Sequence, residues 1–171
     1  RREAALVPGI TIYGGKTFRN LVDHLDEKIR VEKPTQLFEQ PQTEISYTNT
    51  FSSGIDFSDV RGQETAKRGL EIAAAGGHNI AMYGPPGTGK TMLARVFATL
   101  LPQLDLPDVL EVTGIHSAVG VNENDIVTEV PFRSPHHTAS YVSMVGGGAN
   151  LRPGEVTLAH KGVLFLDEFP E

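Results

Sequence analysis
The sequence predicts an α/β fold, and two observations carry that prediction. The first is Gly84-Pro-Pro-Gly-Thr-Gly-Lys90-Thr91, which fits the phosphate-binding pattern G-x-x-x-x-G-K-[ST]. An apolar run, Asn79-Ile-Ala-Met-Tyr83, precedes it and reads as a buried strand. Met92-Leu-Ala-Arg-Val-Phe-Ala-Thr-Leu-Leu101 follows it and reads as a helix. Strand, glycine loop, helix is the context that the motif needs. The second observation is Gly162-Val-Leu-Phe-Leu166, an apolar run ending in Asp167-Glu168. Its length and composition suit a central parallel strand buried on both faces.

Both observations have chemical content. Glycines let backbone N–H groups turn inward around a phosphate, and the helix N-terminus adds partial positive charge. The cradle is Gly84, Pro85, Pro86, Gly87, Thr88, Gly89, Lys90, Thr91 and Met92. In that pattern Lys90 reaches the β- and γ-phosphates, and the Thr91 hydroxyl holds Mg²⁺. Carboxylates at the C-terminal end of a parallel strand face the ligand crevice of an open α/β sheet. Asp167 is the candidate for orienting Mg²⁺, and Glu168 for the base that polarises the attacking water. A strand ending in solvated acids is common by itself; paired with an upstream phosphate loop, it implies ATP hydrolysis in the intact protein.

The remaining elements follow in chain order. Ile10-Thr-Ile-Tyr13 predicts a short strand. Thr17 predicts a helix cap, with the helix running from Phe18 to about Asp26. Phe18, Leu21, Val22 and Leu25 share one face of it. Residues 39–53 are rich in Gln, Thr, Ser and Asn without a clear period, and read as an interdomain linker. Asp56-Phe-Ser-Asp-Val-Arg-Gly-Gln63 leads into a helix from Gln63 to Ala75 that Gly76-Gly77 ends. Its apolar side is Ala66, Leu70, Ala73 and Ala74. A chain passing there can put the backbone of Val60 and Gly62 beside an adenine ring, or can be an ordinary loop before a helix.

The stretch from Lys90 to Asp167 is longer than a bare β-α-β-α-β connection requires, so something is inserted. Asp108 to about Gly120 predicts a helix, Pro131-Phe-Arg-Ser134 the second strand, and Ser140 to Val145 a short helix broken by Gly146-Gly147-Gly148. Pro153 to Ala159 predicts a resumed helix with Pro near its first turn. A helix interrupted by a glycine-rich loop carrying Arg152 is expected to protrude, and such a loop can grip a polymer or a partner.

Composition narrows the rest. The chain has 171 residues and a net charge of −6. Any nucleic-acid contact therefore comes from a local basic loop or from a pore built by several subunits. There is no cysteine, which removes disulfides and cysteine-based zinc sites. Adjacent His136-His137 side chains diverge, which makes a poor bidentate metal site, and no H-E-x-x-H pattern is present. A turn role after Pro135 fits the pair; the other reading joins them with Arg133 as a nucleotide sensor or a contact to a neighbouring subunit. No apolar run has the length of a membrane span, so a soluble cytoplasmic protein is expected.

A larger pattern emerges from these strings. Asp56-Phe-Ser-Asp-Val-Arg-Gly-Gln63, Gly-Gly-His-Asn79, GPPGTGKTMLA, Ile115-His-Ser117, Pro131-Phe-Arg-Ser-Pro-His-His-Thr138, Val145-Gly-Gly-Gly148, Arg152-Pro-Gly-Glu155, Leu158-Ala-His160 and Gly162-Val-Leu-Phe-Leu-Asp-Glu168 occur in this order. Together they resemble the YifB/ComM family of magnesium-chelatase-like AAA+ ATPases. The resemblance covers nearly the whole chain, and PFRSPHH is its most specific part. It implies a P-loop NTPase core of the AAA+ helix-2-insert type, a three-layer parallel sheet occupying residues 54–171, with the insert around Gly146 to Pro153. Residues 1–38 resemble the C-terminal end of a Lon-protease-like α+β domain, joined by the linker at 39–53. The resemblance further implies ATP and Mg²⁺ as ligands, a homo-hexameric ring with ATP between subunits, and single-stranded or branched DNA as substrate through ComM-like branch migration in natural transformation. Arg152 is then the candidate DNA contact. A porphyrin magnesium-chelatase ATPase subunit and a chaperone-like protein remodeller use the same phosphate loop and acidic pair. The polar sensor, arginine finger and lid of such a module lie past Glu171, so this segment alone is expected to be inactive.

Overall fold
The computed structural model describes residues 2–26, 37–45, 47, 54–120, 126–148 and 151–168. The chain divides into two compact units, residues 1–45 and 46–171. Part of the expected linker, residue 46 and residues 48–53, lies outside the described residues.

The first unit holds a 3₁₀ turn (Ala4–Leu6), strand β1 (Ile12–Gly14), helix α1 (Phe18–Leu25) and strand β2 (Phe38–Gln40). Helix α1 starts where it does because Thr17 Oγ1 accepts from the Asn20 N–H at 3.3 Å, while Asn20 Oδ1 accepts from the Thr17 N–H at 3.0 Å. This reciprocal capping satisfies two of the donors that a helix start orphans. The four apolar residues expected on one face of α1 are all exposed. Strand β2 begins at Phe38 and runs into the stretch expected to be a linker from Glu39. It pairs antiparallel with β1, Ile12 opposite Gln40 and Gly14 opposite Phe38. Thr43 then bonds back to the Ala5 carbonyl through its N–H and to the Arg2 carbonyl through its hydroxyl. Polar composition suggested a free connector; backbone bonds tie its first residues, Glu39 to Thr43, to the first unit.

The second unit opens with a 3₁₀ turn (Phe57–Asp59) and helix α2 (Glu64–Gly76), which ends at a left-handed Gly77. Helix α3 (Lys90–Leu100) follows the glycine loop, and helix α4 (Leu106–Val119) starts at Asp105, whose carboxylate accepts from the Asp108 N–H at 2.9 Å. Helices α2 and α3 bury Leu70, Ala73, Leu93, Val96 and Phe97 in one cluster with Val60. Val96 and Leu70 are essentially inaccessible, so each large-to-small change there costs about 2–5 kcal/mol.

Strand β3 (Phe132–Arg133) pairs in parallel with β6 (Val163–Leu164), Phe132 opposite Val163 and Arg133 opposite Leu164. Between them lie helix α5 (Tyr141–Val145), strands β4 (Gly146–Gly147) and β5 (Arg152–Pro153) and helix α6 (Glu155–Leu158). The parallel direction agrees with expectation, but its extent does not. Among the described residues the expected three-layer parallel sheet is reduced to this two-stranded pair, and β6 is half-buried rather than covered on both faces. Asn79–Tyr83 forms no strand, and Tyr83 is fully exposed. An apolar run becomes a buried strand only when neighbours pair with its edges. The insert differs as well. Pro153 does not start a helix: it sits in β5 opposite Gly146, and Gly147 faces Arg152 in an antiparallel hairpin. No helix among the described residues is long and apolar enough to cross a membrane.

Candidate functional site
The glycine loop folds around its own lysine. Lys90 is the first residue of α3, and Gly89 ahead of it has φ +82°, with Gly87 at +79°. These left-handed values are open to glycine at little cost, and they are the backbone that a phosphate-cradling loop requires. Lys90 Nζ donates to the Gly84 carbonyl at 2.9 Å and to the Pro85 carbonyl at 3.0 Å. The Thr88 hydroxyl donates to the Pro85 carbonyl at 2.9 Å, closing the loop from the other side. The ammonium thus sits over a ring of backbone at the N-terminus of an eleven-residue helix, where the peptide dipoles add positive potential.

The acidic pair arrives from β6. Thr91 Oγ1 donates to Asp167 Oδ2 at 3.4 Å, bringing the ends of two separate elements together. The Glu168 N–H donates to Asp167 Oδ1 at 3.1 Å, and Glu168 has φ +53°. Glu168 Oε2 lies 3.1 Å from His137 Nδ1. Two hard oxygen donors, a hydroxyl and a carboxylate, therefore converge beside the phosphate loop. That donor set fits Mg²⁺, which takes few protein oxygens and completes its shell with water and substrate phosphates.

Other candidates land elsewhere. The Val60 side chain is in the core, and its N–H donates to the Phe57 carbonyl at 3.3 Å. Gly62 is exposed with φ +66°. The next residue, Gln63, reaches the loop: its Nε2 donates to the Thr88 carbonyl at 3.4 Å. Met92 is exposed on α3. Arg152 is exposed on the hairpin. Arg133 is engaged by a carboxylate of its own chain. Its Nε and Nη2 donate to Glu155 Oε2 and Oε1 at 2.6 and 2.8 Å, a fork that holds β3 to α6. Hydrogen bonding from Arg133 pulls the Glu155 carboxyl below its ordinary range, and the same contact raises the guanidinium. Of the remaining histidines, His116 is buried with Nε2 3.0 Å from the Leu158 carbonyl, and His160 pairs with Glu111.

Two site residues escaped the sequence reading. Gln63 was the last letter of a string already singled out, but nothing in it pointed at the loop. His137 was weighed as a metal ligand, turn residue or sensor, and only the distance to Glu168 shows what it meets.

A glycine loop closed over a helix-starting lysine, with a hydroxyl facing a carboxylate from the turn after β6, defines a P-loop nucleotide-binding protein. Residues 56–171 match the family model described as magnesium chelatase, subunit ChlI, and the chain belongs to this family as a YifB/ComM-like member with the AAA+ P-loop fold. It is 49% identical over 152 residues to the uncharacterized protein YifB of Escherichia coli (strain K12), covering 88% of this chain and 30% of that one. It is 42% identical over 171 residues to the competence protein ComM of Haemophilus influenzae, covering 99% of this chain and 33% of that one. It is 44% identical over 172 residues to the uncharacterized protein Rv2897c of Mycobacterium tuberculosis (strain ATCC 25618 / H37Rv), covering 99% and 32%. The chain spans about a third of the length of these relatives.

Proposed function
We propose that the protein is a cytoplasmic ATP-hydrolysing motor that works as a homo-hexameric ring and remodels single-stranded or branched DNA. The observation that carries the hydrolytic part is the approach of Thr91 to Asp167, with Glu168 next in the chain. Lys90 and the loop N–H groups bind the phosphates. Thr91 Oγ1 and Asp167 Oδ2 would hold Mg²⁺, which when bound would offset negative charge on the phosphates. Glu168 takes the proton of the attacking water on its carboxylate. The DNA part is supported by the 42% identity to a protein named for competence and by the exposed Arg152 on the glycine hairpin. With a net charge of −6, a local cation on a protruding element is the arrangement by which such a chain can meet a polyanion.

A second reading has its own support. The family model that matches residues 56–171 is described as a magnesium chelatase subunit, which favours an ATPase driving Mg²⁺ into a porphyrin. Against it stands the match to ComM over 99% of the chain, the first unit included. A protein-remodelling ATPase would use the same hairpin without a preference for nucleic acid.

Salt separates these readings. ATP turnover by the full-length protein is measured with and without single-stranded and branched DNA across a salt series, with Glu168→Gln as control. DNA stimulation that fades steeply with salt is expected, because phosphate contacts release counterions. Turnover indifferent to DNA at every salt concentration refutes the DNA motor and leaves the chelatase or protein-remodelling reading.

A further inference from the structure
We propose that Gln63 is a positioning residue for the phosphate loop, holding the Thr88–Gly89 peptide from outside so that the Gly89 N–H keeps one direction. The inference rests on the loop binding phosphate. Gln63 stands at the N-cap of α2, yet its side chain makes no capping bond to its own helix. Asn, Asp, Ser and Thr are the usual residues there, because a short side chain can turn back and accept from the first turn. The longer Gln63 side chain reaches away instead, and its Nε2 donates to the Thr88 carbonyl at 3.4 Å. Its backbone is left-handed, with φ +59° and ψ +35°, which is uncommon outside glycine. A strained residue that leaves its own helix uncapped points to a role elsewhere, and the contact its side chain makes is with the loop.

The direction of that bond gives it an effect. In a trans peptide the carbonyl and the following N–H point opposite ways. A donor fixed on the Thr88 carbonyl therefore fixes the Gly89 N–H on the side away from Gln63. Gly89 is the N-cap of α3, so its N–H is among those with no acceptor inside the helix and is open to an anion. The peptide needs such a hold, because glycine stands on both sides of Thr88 and glycine changes φ region at little cost. The bonds inside the loop fall elsewhere: Lys90 Nζ holds the Gly84 and Pro85 carbonyls, and the Thr88 hydroxyl holds the Pro85 carbonyl. A lysine that turns to phosphate gives up its carbonyls, whereas the Gln63 bond is free of that competition. Gln63 also reaches out from a packed frame. Val60, just before it, is buried with Leu70 of α2 and with Leu93, Val96 and Phe97 of α3. The start of α2 is thereby tied to the helix that the loop leads into.

The test measures binding of ATP and, separately, of tripolyphosphate, which has the phosphates without the base, by the full-length protein. Gln63→Met keeps the length of the side chain and removes the donor. Gln63→Gly removes the side chain and relieves the left-handed backbone. Both should weaken ATP and tripolyphosphate by the same factor, about three- to tenfold, the worth of one neutral hydrogen bond. The melting temperature without ligand should hold in Gln63→Met and hold or rise in Gln63→Gly, so the loss of affinity is not a loss of fold. Tripolyphosphate affinity unchanged in both variants overturns the proposal, and ATP alone weakened would put Gln63 against the base instead. A fall in affinity that appears only with a lower melting temperature overturns it too, leaving Gln63 a structural residue. Lys90→Ala is the control. Tripolyphosphate binding that survives Lys90→Ala refutes the phosphate-loop reading itself, and Gln63 falls with it. Binding lost in Lys90→Ala but intact in both Gln63 variants sinks the Gln63 proposal alone.

Discussion

Removing the Arg133 guanidinium should destabilise the second unit by about 1–3 kcal/mol, a magnitude set by where the ion pair sits. Fully exposed pairs contribute about 0–1 kcal/mol. Breaking a buried pair from one side costs about 3–5 kcal/mol, because a charge is left without its partner. The Arg133 and Glu155 side chains are 33% and 19% exposed, between those limits, and their two bonds are the parallel fork that favours Arg over Lys. Arg133→Met and Glu155→Gln, singly and together, form the cycle, read by urea unfolding followed by circular dichroism. Coupling of about 1–2 kcal/mol is expected. The pH dependence has a definite sign. Hydrogen bonding from Arg133 holds the folded-state Glu155 carboxyl below its ordinary range. The pair's stabilisation is therefore complete above the ordinary glutamate value of about 4.3 and fades as pH falls through the depressed one. Arg133→Met should remove that part of the acid slope. Coupling under about 0.5 kcal/mol, or an acid slope unchanged in Arg133→Met, would refute the reasoning and return Arg133 to the list of nucleotide or subunit contacts.

Three further outcomes are expected. Lys90→Ala should weaken binding of a fluorescent ATP analogue about 10–100-fold, the worth of one hydrogen bond to a charged group, with the melting temperature little changed; affinity within a factor of two would detach the loop from phosphate. Thr91→Val should abolish most of the gain in nucleotide affinity on adding Mg²⁺, measured by titration with and without chelator; an undiminished gain would place the ion away from Asp167. Gly146→Ala adds a Cβ at φ +97°, 2.7 Å from the Gly154 nitrogen and 2.8 Å from the Arg152 oxygen, and should cost about 1–3 kcal/mol. Hydrogen exchange should speed up across Gly146–Leu158, and unchanged protection there would contradict the hairpin register.

Elements specified by neighbours in the chain were legible without a structure. Thr17, Ser140, Gly77 and Gly120 mark helix ends through bonds made within one turn, and each stands at a helix boundary. The glycine loop is likewise eight consecutive residues whose conformation follows from φ angles that glycine tolerates. The apolar side of α2, from Ala66 to Ala74, follows from helical period. Other features depended on segments far apart in sequence. Asn79–Tyr83 had a strand's composition and found no strand to pair with among the described residues; Glu39 and Gln40 had a linker's composition and found β1. Pro153 suits a helix start by its fixed φ, which an edge strand accepts equally well, and pairing with Gly146 decided between them. Arg133 could face a nucleotide, a subunit or a carboxylate; the register of β3 on β6 and the position of α6 gave it Glu155. The same register set His137 beside Glu168. Residue type and spacing determined which chemistry this chain can carry, because caps, loops and periods are properties of adjacent residues. Which side chains meet was decided only by tertiary pairing, because a long-range contact depends on the free energy of two distant segments at once.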